Sequence, residues 1–160
     1  MKYLFSLLIL ISLCAFAGDL INETHGVALD GYDVVAYFRS ADKAVDKGIK
    51  GSSKYSTDYK GVTYHFSNNE NRELFLTNPE SFLPEYGGWC AWAVAQGKNE
   101  VGVDYDTFIV KEDESGKKRL YLFYNSWFSN TLKKWKKKST GTHKELVNKA
   151  NKHWNEFQMN

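Results

Sequence analysis

Proline, cysteine and long apolar runs are all scarce in this sequence. Two prolines in 160 residues leave no room for a proline-rich linker. Beyond the N-terminus no stretch approaches 18 uninterrupted apolar residues, which excludes a membrane-spanning helix there. An excess of one charge is missing too, since 21 Lys and Arg stand against 19 Asp and Glu for a formal net charge of +2. That balance argues against intrinsic disorder and provides no overall attraction for nucleic acid. Catalytic templates are also absent: there is no nucleophile elbow, phosphate-cradling glycine loop, dinucleotide fingerprint, His-Glu-x-x-His or Cys-x-x-Cys. The histidines, His25, His65, His143 and His153, have no close metal-ligand spacing among themselves, and nothing singles out a catalytic pair of carboxylates. What the sequence has in quantity is rings, with five Trp, ten Tyr and ten Phe making 16% of the chain. That is one domain's worth of chain, able to bury a core without disulfide or metal staples.

The first 17 residues carry the pattern of a cleaved export signal. Lys2 supplies the positive end, and an apolar run over 4–15 is broken only by Ser6 and Ser12. Ala15-Phe16-Ala17 then places small residues for cleavage before Gly18. The run is too short to span a bilayer comfortably, and Leu13 ahead of Cys14 does not suit a lipid-modified cysteine. The expected mature chain is therefore residues 18–160, periplasmic or secreted. Cleavage removes Cys14 and leaves Cys90 alone, with no partner for an internal disulfide. Cys90 is then a core thiol, a metal ligand, a reactive thiol or an intermolecular bridge.

Along the mature chain, Asp30-Gly31 marks a turn, and the apolar stretch after it is too short to assign as helix or strand. Residues 42–53 read as a polar loop. Residues 55–59 and 62–66 flank Lys60-Gly61 as a hairpin, with Tyr64 and Phe66 on one face. Ser67, with Glu70 three residues later, reads as the N-cap of a helix that ends near Asn78-Pro79, and Pro79 opens a further short turn. Gly87-Gly88 introduces a helical segment over 89–96 closed by Gly97. Residues 107–111 and 119–124 form a second hairpin, and 126–138 and 142–157 read as two helices parted by Gly141. The expected fold is α+β: a small single domain with two antiparallel hairpins, several short helices and a C-terminal helical pair.

Cys90 follows Gly87-Gly88-Trp89 at a proposed helix start. The dipole there favours a thiolate, while apolar surface from Trp89 and Trp92 opposes it. In the tail, five lysines over 133–138 surround Trp135. The simplest account is that they complement a helix C-terminus and keep that face solvated. The alternative seats them weakly on an anionic membrane surface with Trp135 at the interface.

Three ordered segments resemble the YHS-domain family, and more narrowly its exported single-domain branch. They are Gly31-Tyr32-Asp33-Val34-Val35-Ala36-Tyr37-Phe38, then Tyr64-His65-Phe66-Ser67 through Asn78-Pro79, then Tyr86-Gly87-Gly88-Trp89-Cys90-Ala91-Trp92-Ala93-Val94. The resemblance covers about residues 27–124 and implies metal handling. In the short family members a strand ending in Phe-Cys leads into a helix with a second Cys four residues on. Those positions fall on Ser67 and Asn71, so that thiolate pair is absent here and Cys90 is what remains. With His65, His25, Asp33 and Asp30 as further candidate ligands, the site would suit copper first, or zinc. For the two aspartates the simpler role is turn formation, and for His65 a solvent-facing place on its strand. The expectation is a non-enzymatic exported binding protein. Two alternatives stand beside it: a thiol-dependent enzyme or redox protein using Cys90, and a metal-free interaction or small-ligand module with Cys90 in the core.

Overall fold

The structure is a computed structural model describing residues 20–41 and 47–159. The signal-like segment 1–17, with Cys14, and residues 42–46 of the polar loop lie outside the described residues. In chain order the elements are β1 (Glu23–Thr24), β2 (Val27–Ala28), α1 (Val34–Ala41), β3 (Ser52–Tyr59), β4 (Val62–Phe66) and α2 (Asn69–Thr77). There follow α3 (Ala91–Ala95), β5 (Asp104–Glu112), β6 (Lys118–Phe123), β7 (Asn125–Ser126), β8 (Ser129–Asn130), α4 (Thr131–Lys136) and α5 (His143–Gln158). Short 3-10 turns cover Leu29–Gly31, Pro79–Ser81 and Glu85–Gly88. The class is α+β, with both expected hairpins present.

Alternation sets the first sheet. In β4 Val62, Tyr64 and Phe66 are buried while Thr63 and His65 point to the other face, as a period of two requires. The sheet runs β1-β2-β4-β3, antiparallel except for the parallel β2–β4 pair. Against it lie α1 and α2, and Phe75 of α2 meets Tyr59, Tyr64 and Phe66 with ring centroids 5.7, 5.0 and 5.1 Å away.

Strand β6 follows another rule. Leu120 and Leu122 join the core formed by this sheet, whereas Tyr121 and Phe123 enter a second core built from α3, α4 and α5. An uninterrupted Leu-Tyr-Leu-Phe run fits a strand covered on both faces. In the second core α5 contributes Leu146, Ala150 and Trp154 at four-residue spacing. Thr142 and Glu145 start that helix with reciprocal cap bonds of 2.7 and 3.3 Å.

Two helix starts differ from expectation. The N-cap of α2 is Asn68, whose side chain accepts from the Asn71 N–H at 2.8 Å, because the Ser67 hydroxyl is engaged elsewhere. Residues 126–130 are not helical. Asn125 pairs with Asn130 and Ser126 with Ser129, leaving Trp127 and Phe128 as a two-residue tip. Asn130 then caps α4 by accepting from the Lys133 N–H at 2.8 Å. Ser and Asn side chains compete for backbone groups, which favours a cap and turn over helix interior.

The tail also corrects the membrane reading of Trp135. That ring is 3% exposed, packs on Tyr121 and Phe123 of the second core, and donates its indole N–H to His143 Nδ1 at 2.9 Å. It cannot lie at a lipid interface while these contacts hold. His143 is half-buried beside it.

Candidate ligand cleft

Cys90 is the N-cap of α3 and is 0% exposed. Its sulfur accepts from the Tyr124 N–H at 3.3 Å and lies 3.4 Å from the Thr131 hydroxyl. That hydroxyl donates to the Tyr124 carbonyl at 2.8 Å, so the Cys90 S–H is left to donate to Thr131 Oγ1. The thiol thus links the end of β6 to the start of α4, with both of its hydrogen-bonding roles filled.

The other candidate ligands lie apart from it. His25 is exposed in the turn between β1 and β2. Asp30 is exposed and paired with Lys50 at 2.6 Å, and the Lys50 ammonium also lies 4.5 Å above the Tyr32 ring. His65 is half-buried over Gly31, where a Cβ would meet its Nδ1 at 3.2 Å. Gly31 therefore stands between Asp30 and His65, and the hydrogen-bond partners of Cys90 are neither of these but Tyr124 and Thr131. Among the described residues no three His, Cys, Asp or Glu side chains converge to hold a metal ion.

Asp33 has a different role from a turn residue. It is 0% exposed, and its carboxylate accepts five hydrogen bonds. Oδ1 accepts from the Val35 and Ala36 N–H groups at 2.9 and 3.1 Å, capping α1. Oδ2 accepts from the Ser67 N–H, the Ser67 hydroxyl and the Asn71 amide at 2.8, 2.7 and 2.7 Å. Ser67 and Asn71 meet in space, and both are donors gathered on this carboxylate. A ring of donors suits an anion, and Asp33 itself supplies it.

A second gathering, with Tyr64, Tyr86 and Gly87 from the family-like segments, lies in a cleft of about 390 Å³ where the two cores meet. Leu29 and Tyr64 come from the first core, Tyr86 and Trp154 from the second, and Arg119 from the start of β6. Local backbone shapes this cleft. Leu29 and Tyr86 hold φ of 51° and 56°, a left-handed conformation costly for bulky side chains and commonly retained at functional sites. Gly87 continues it at φ 60°, and a Cβ there would overlap the Leu20 carbonyl oxygen at 1.9 Å. The arm 20–22 is laced to this loop: the Asn22 N–H donates to Gly87 O at 2.8 Å and its amide to Gly88 O at 3.1 Å.

Two ion pairs edge the cleft. Lys60 pairs with Glu80 at 2.6 Å, and Arg119 with Glu85 at 3.1 Å. Arg119 is also held by Asp113 at 2.8 Å, and the Ser115 hydroxyl first, with the guanidinium second, keeps that carboxyl well below its ordinary range. Burial pushes the Glu85 carboxyl up, more than the Arg119 guanidinium pulls it down. Burial likewise raises the Tyr64 and Tyr86 phenols, which stay protonated, and Tyr86 donates to Asn151 at 3.0 Å. Among the described residues lining the cleft there is no Cys, His, Ser or Thr. The arrangement provides an apolar floor and a polar rim with a guanidinium, a combination suited to binding a small ligand.

Sequence reasoning missed Arg119, Glu85, Leu29 and Trp154 because they are 125 positions apart at the extremes and share no spacing. Asp33 was better signalled: an Asp directly before Val34-Val35-Ala36 is an N-cap pattern. No protein-family model, curated protein or solved structure matches the chain.

Proposed function

We propose that this chain is an exported, YHS-like binding module that takes a small organic ligand in the cleft between its cores. The observation supporting this is the convergence of Tyr64, Tyr86 and Gly87, drawn from two of the family-like motifs, with left-handed Leu29 on a cleft edged by Arg119. Its volume lies at the lower end of ordinary ligand sites. An apolar body would lie on Leu20, Ile21 and Leu83, the partly exposed apolar side chains of the lining. An anionic group would take guanidinium N–H groups beyond the two that Arg119 spends on Asp113 and Glu85. In this reading Cys90 is a core thiol and neither a metal ligand nor a nucleophile.

The test is a thermal-shift and calorimetric screen of the full chain with medium-chain fatty acids, phenylacetate and indoleacetate, alongside copper and zinc. A ligand at about 100 times its Kd stabilises by about 2.7 kcal/mol. That gain is expected to vanish in Asn155→Trp, which fills the mouth from an exposed position of α5, and to persist in Cys90→Ala. Near one equivalent of copper or zinc, lost in Cys90→Ser, with no carboxylate blocked by Asn155→Trp, would overturn the proposal in favour of the metal reading.

A further inference from the structure

The hairpin β7–β8 ends in two rings that meet nothing. Trp127 and Phe128 are each 94% exposed, while every other tryptophan is buried or half-buried. Holding adjacent aromatic rings in water at a turn is unfavourable unless something covers them. The charge around them is one-sided. Residues 124–142 carry five lysines, Lys133, Lys134, Lys136, Lys137 and Lys138, and no carboxylate. Lys134 of α4 reaches back to the hairpin, its ammonium 3.0 Å from Ser129 Oγ, and Lys133 and Lys136 are exposed on the same short helix. Six helical residues span about 9 Å, so these charges stay within roughly one screening length of the hairpin. The carboxylate at the hairpin base, Asp104, is already engaged by Asn125 at 2.9 Å and Thr107 at 2.7 Å.

We propose that the Trp127–Phe128 tip, with the lysines of α4, docks on an anionic lipid surface. Two rings cover on the order of 400 Å² together, well short of the roughly 800 Å² per partner of a stable protein interface. A bilayer has no such threshold, because it envelops a small wedge from all sides. Indole favours the headgroup level, where an apolar face and an N–H both find partners. A second copy of this chain would bring the same lysines and repel. Anionic headgroups complement them.

The test uses the full chain and vesicles of phosphatidylglycerol and phosphatidylethanolamine with brominated acyl chains, which quench tryptophans that enter the hydrocarbon boundary. The fluorescence difference between wild type and Trp127→Phe isolates the Trp127 signal from any insertion of the N-terminal apolar run. Quenching of that signal is expected on the anionic vesicles and not on phosphatidylcholine. The triple change Lys133→Gln, Lys134→Gln, Lys136→Gln should demand about a hundredfold more anionic lipid, since each surface lysine contributes roughly fivefold. Replacing Trp127 and Phe128 together by serine should abolish docking without changing the melting temperature, because neither ring touches the folded core. An unquenched Trp127 on anionic vesicles would overturn the proposal. So would equal quenching on neutral lipid, or self-association lost in the double serine variant with no lipid effect.

Discussion

Replacing Asp33 by alanine is expected to lower stability by about 3–5 kcal/mol, the range for removing one member of a buried charged network. The effect is large because the carboxylate is wholly buried and accepts five hydrogen bonds, two from α1 and three from the β4–α2 junction, where the Asn71 amide would keep only its 3.3 Å bond to Ser67 Oγ. Asp33→Asn keeps the shape but turns an amide N–H₂ toward donors, so most of the loss should remain. Ser67→Ala removes only one hydroxyl donor and should cost about 1 kcal/mol. Urea unfolding of the three variants distinguishes these outcomes. A loss below about 1 kcal/mol for Asp33→Ala would mean that the carboxylate does not hold α1 to α2.

Trp135→Ala should cost a comparable 3–5 kcal/mol, the usual range for truncating a buried tryptophan. Trp127→Ala, a few residues away, should cost almost nothing. The difference follows from Trp135 packing on Tyr121, Phe123 and His143 in the second core. Its indole N–H donates to His143 Nδ1 at 2.9 Å, which requires an unprotonated acceptor nitrogen. Burial first, and the Lys111 charge second, hold the His143 imidazole below its ordinary 6.5. The unfolded chain therefore binds this proton more readily than the folded one. The stabilisation is fully present above about pH 6.5 and is lost as pH falls through the lower folded value. Melting temperatures at pH 7.5 and 5.5 should show an acid-dependent drop in wild type that is reduced in His143→Gln. An unchanged drop would place the responsible group elsewhere.

Local rules made part of this molecule readable. Val62-Thr63-Tyr64-His65-Phe66 alternates, Lys60-Gly61 turns, and Thr142 with Glu145 starts a helix. Each depends on residues within a few positions, so burial pattern and boundaries came close to the structure. The sequence pattern puts the cap of α2 at Ser67, one residue before the observed Asn68. The Ser67 hydroxyl is instead drawn to Asp33, 34 positions away. The stretch 126–130 passed for helix because the lysines beyond it are helical, while Asn125, Ser126, Ser129 and Asn130 favour a turn.

The candidate site was the least legible part. Cys90 was the conspicuous residue, yet its surroundings are set by Tyr124 and Thr131, and those contacts close it off. The cleft depends on Leu29, Tyr64, Glu85, Arg119 and Trp154 meeting across both cores, which no spacing along the chain encodes.

The sequence by itself determined the α+β class, the two hairpins and the capped C-terminal helix, because alternation, turn chemistry and capping act between near neighbours. Only the tertiary structure decided that β6 divides two cores, that Asp33 is a buried anchor, that Cys90 is sealed, and that Trp135 is core while Trp127 stands in solvent. Burial is a property of what arrives from elsewhere in the chain. The same residue type is a core ring at one position and an exposed wedge eight residues earlier.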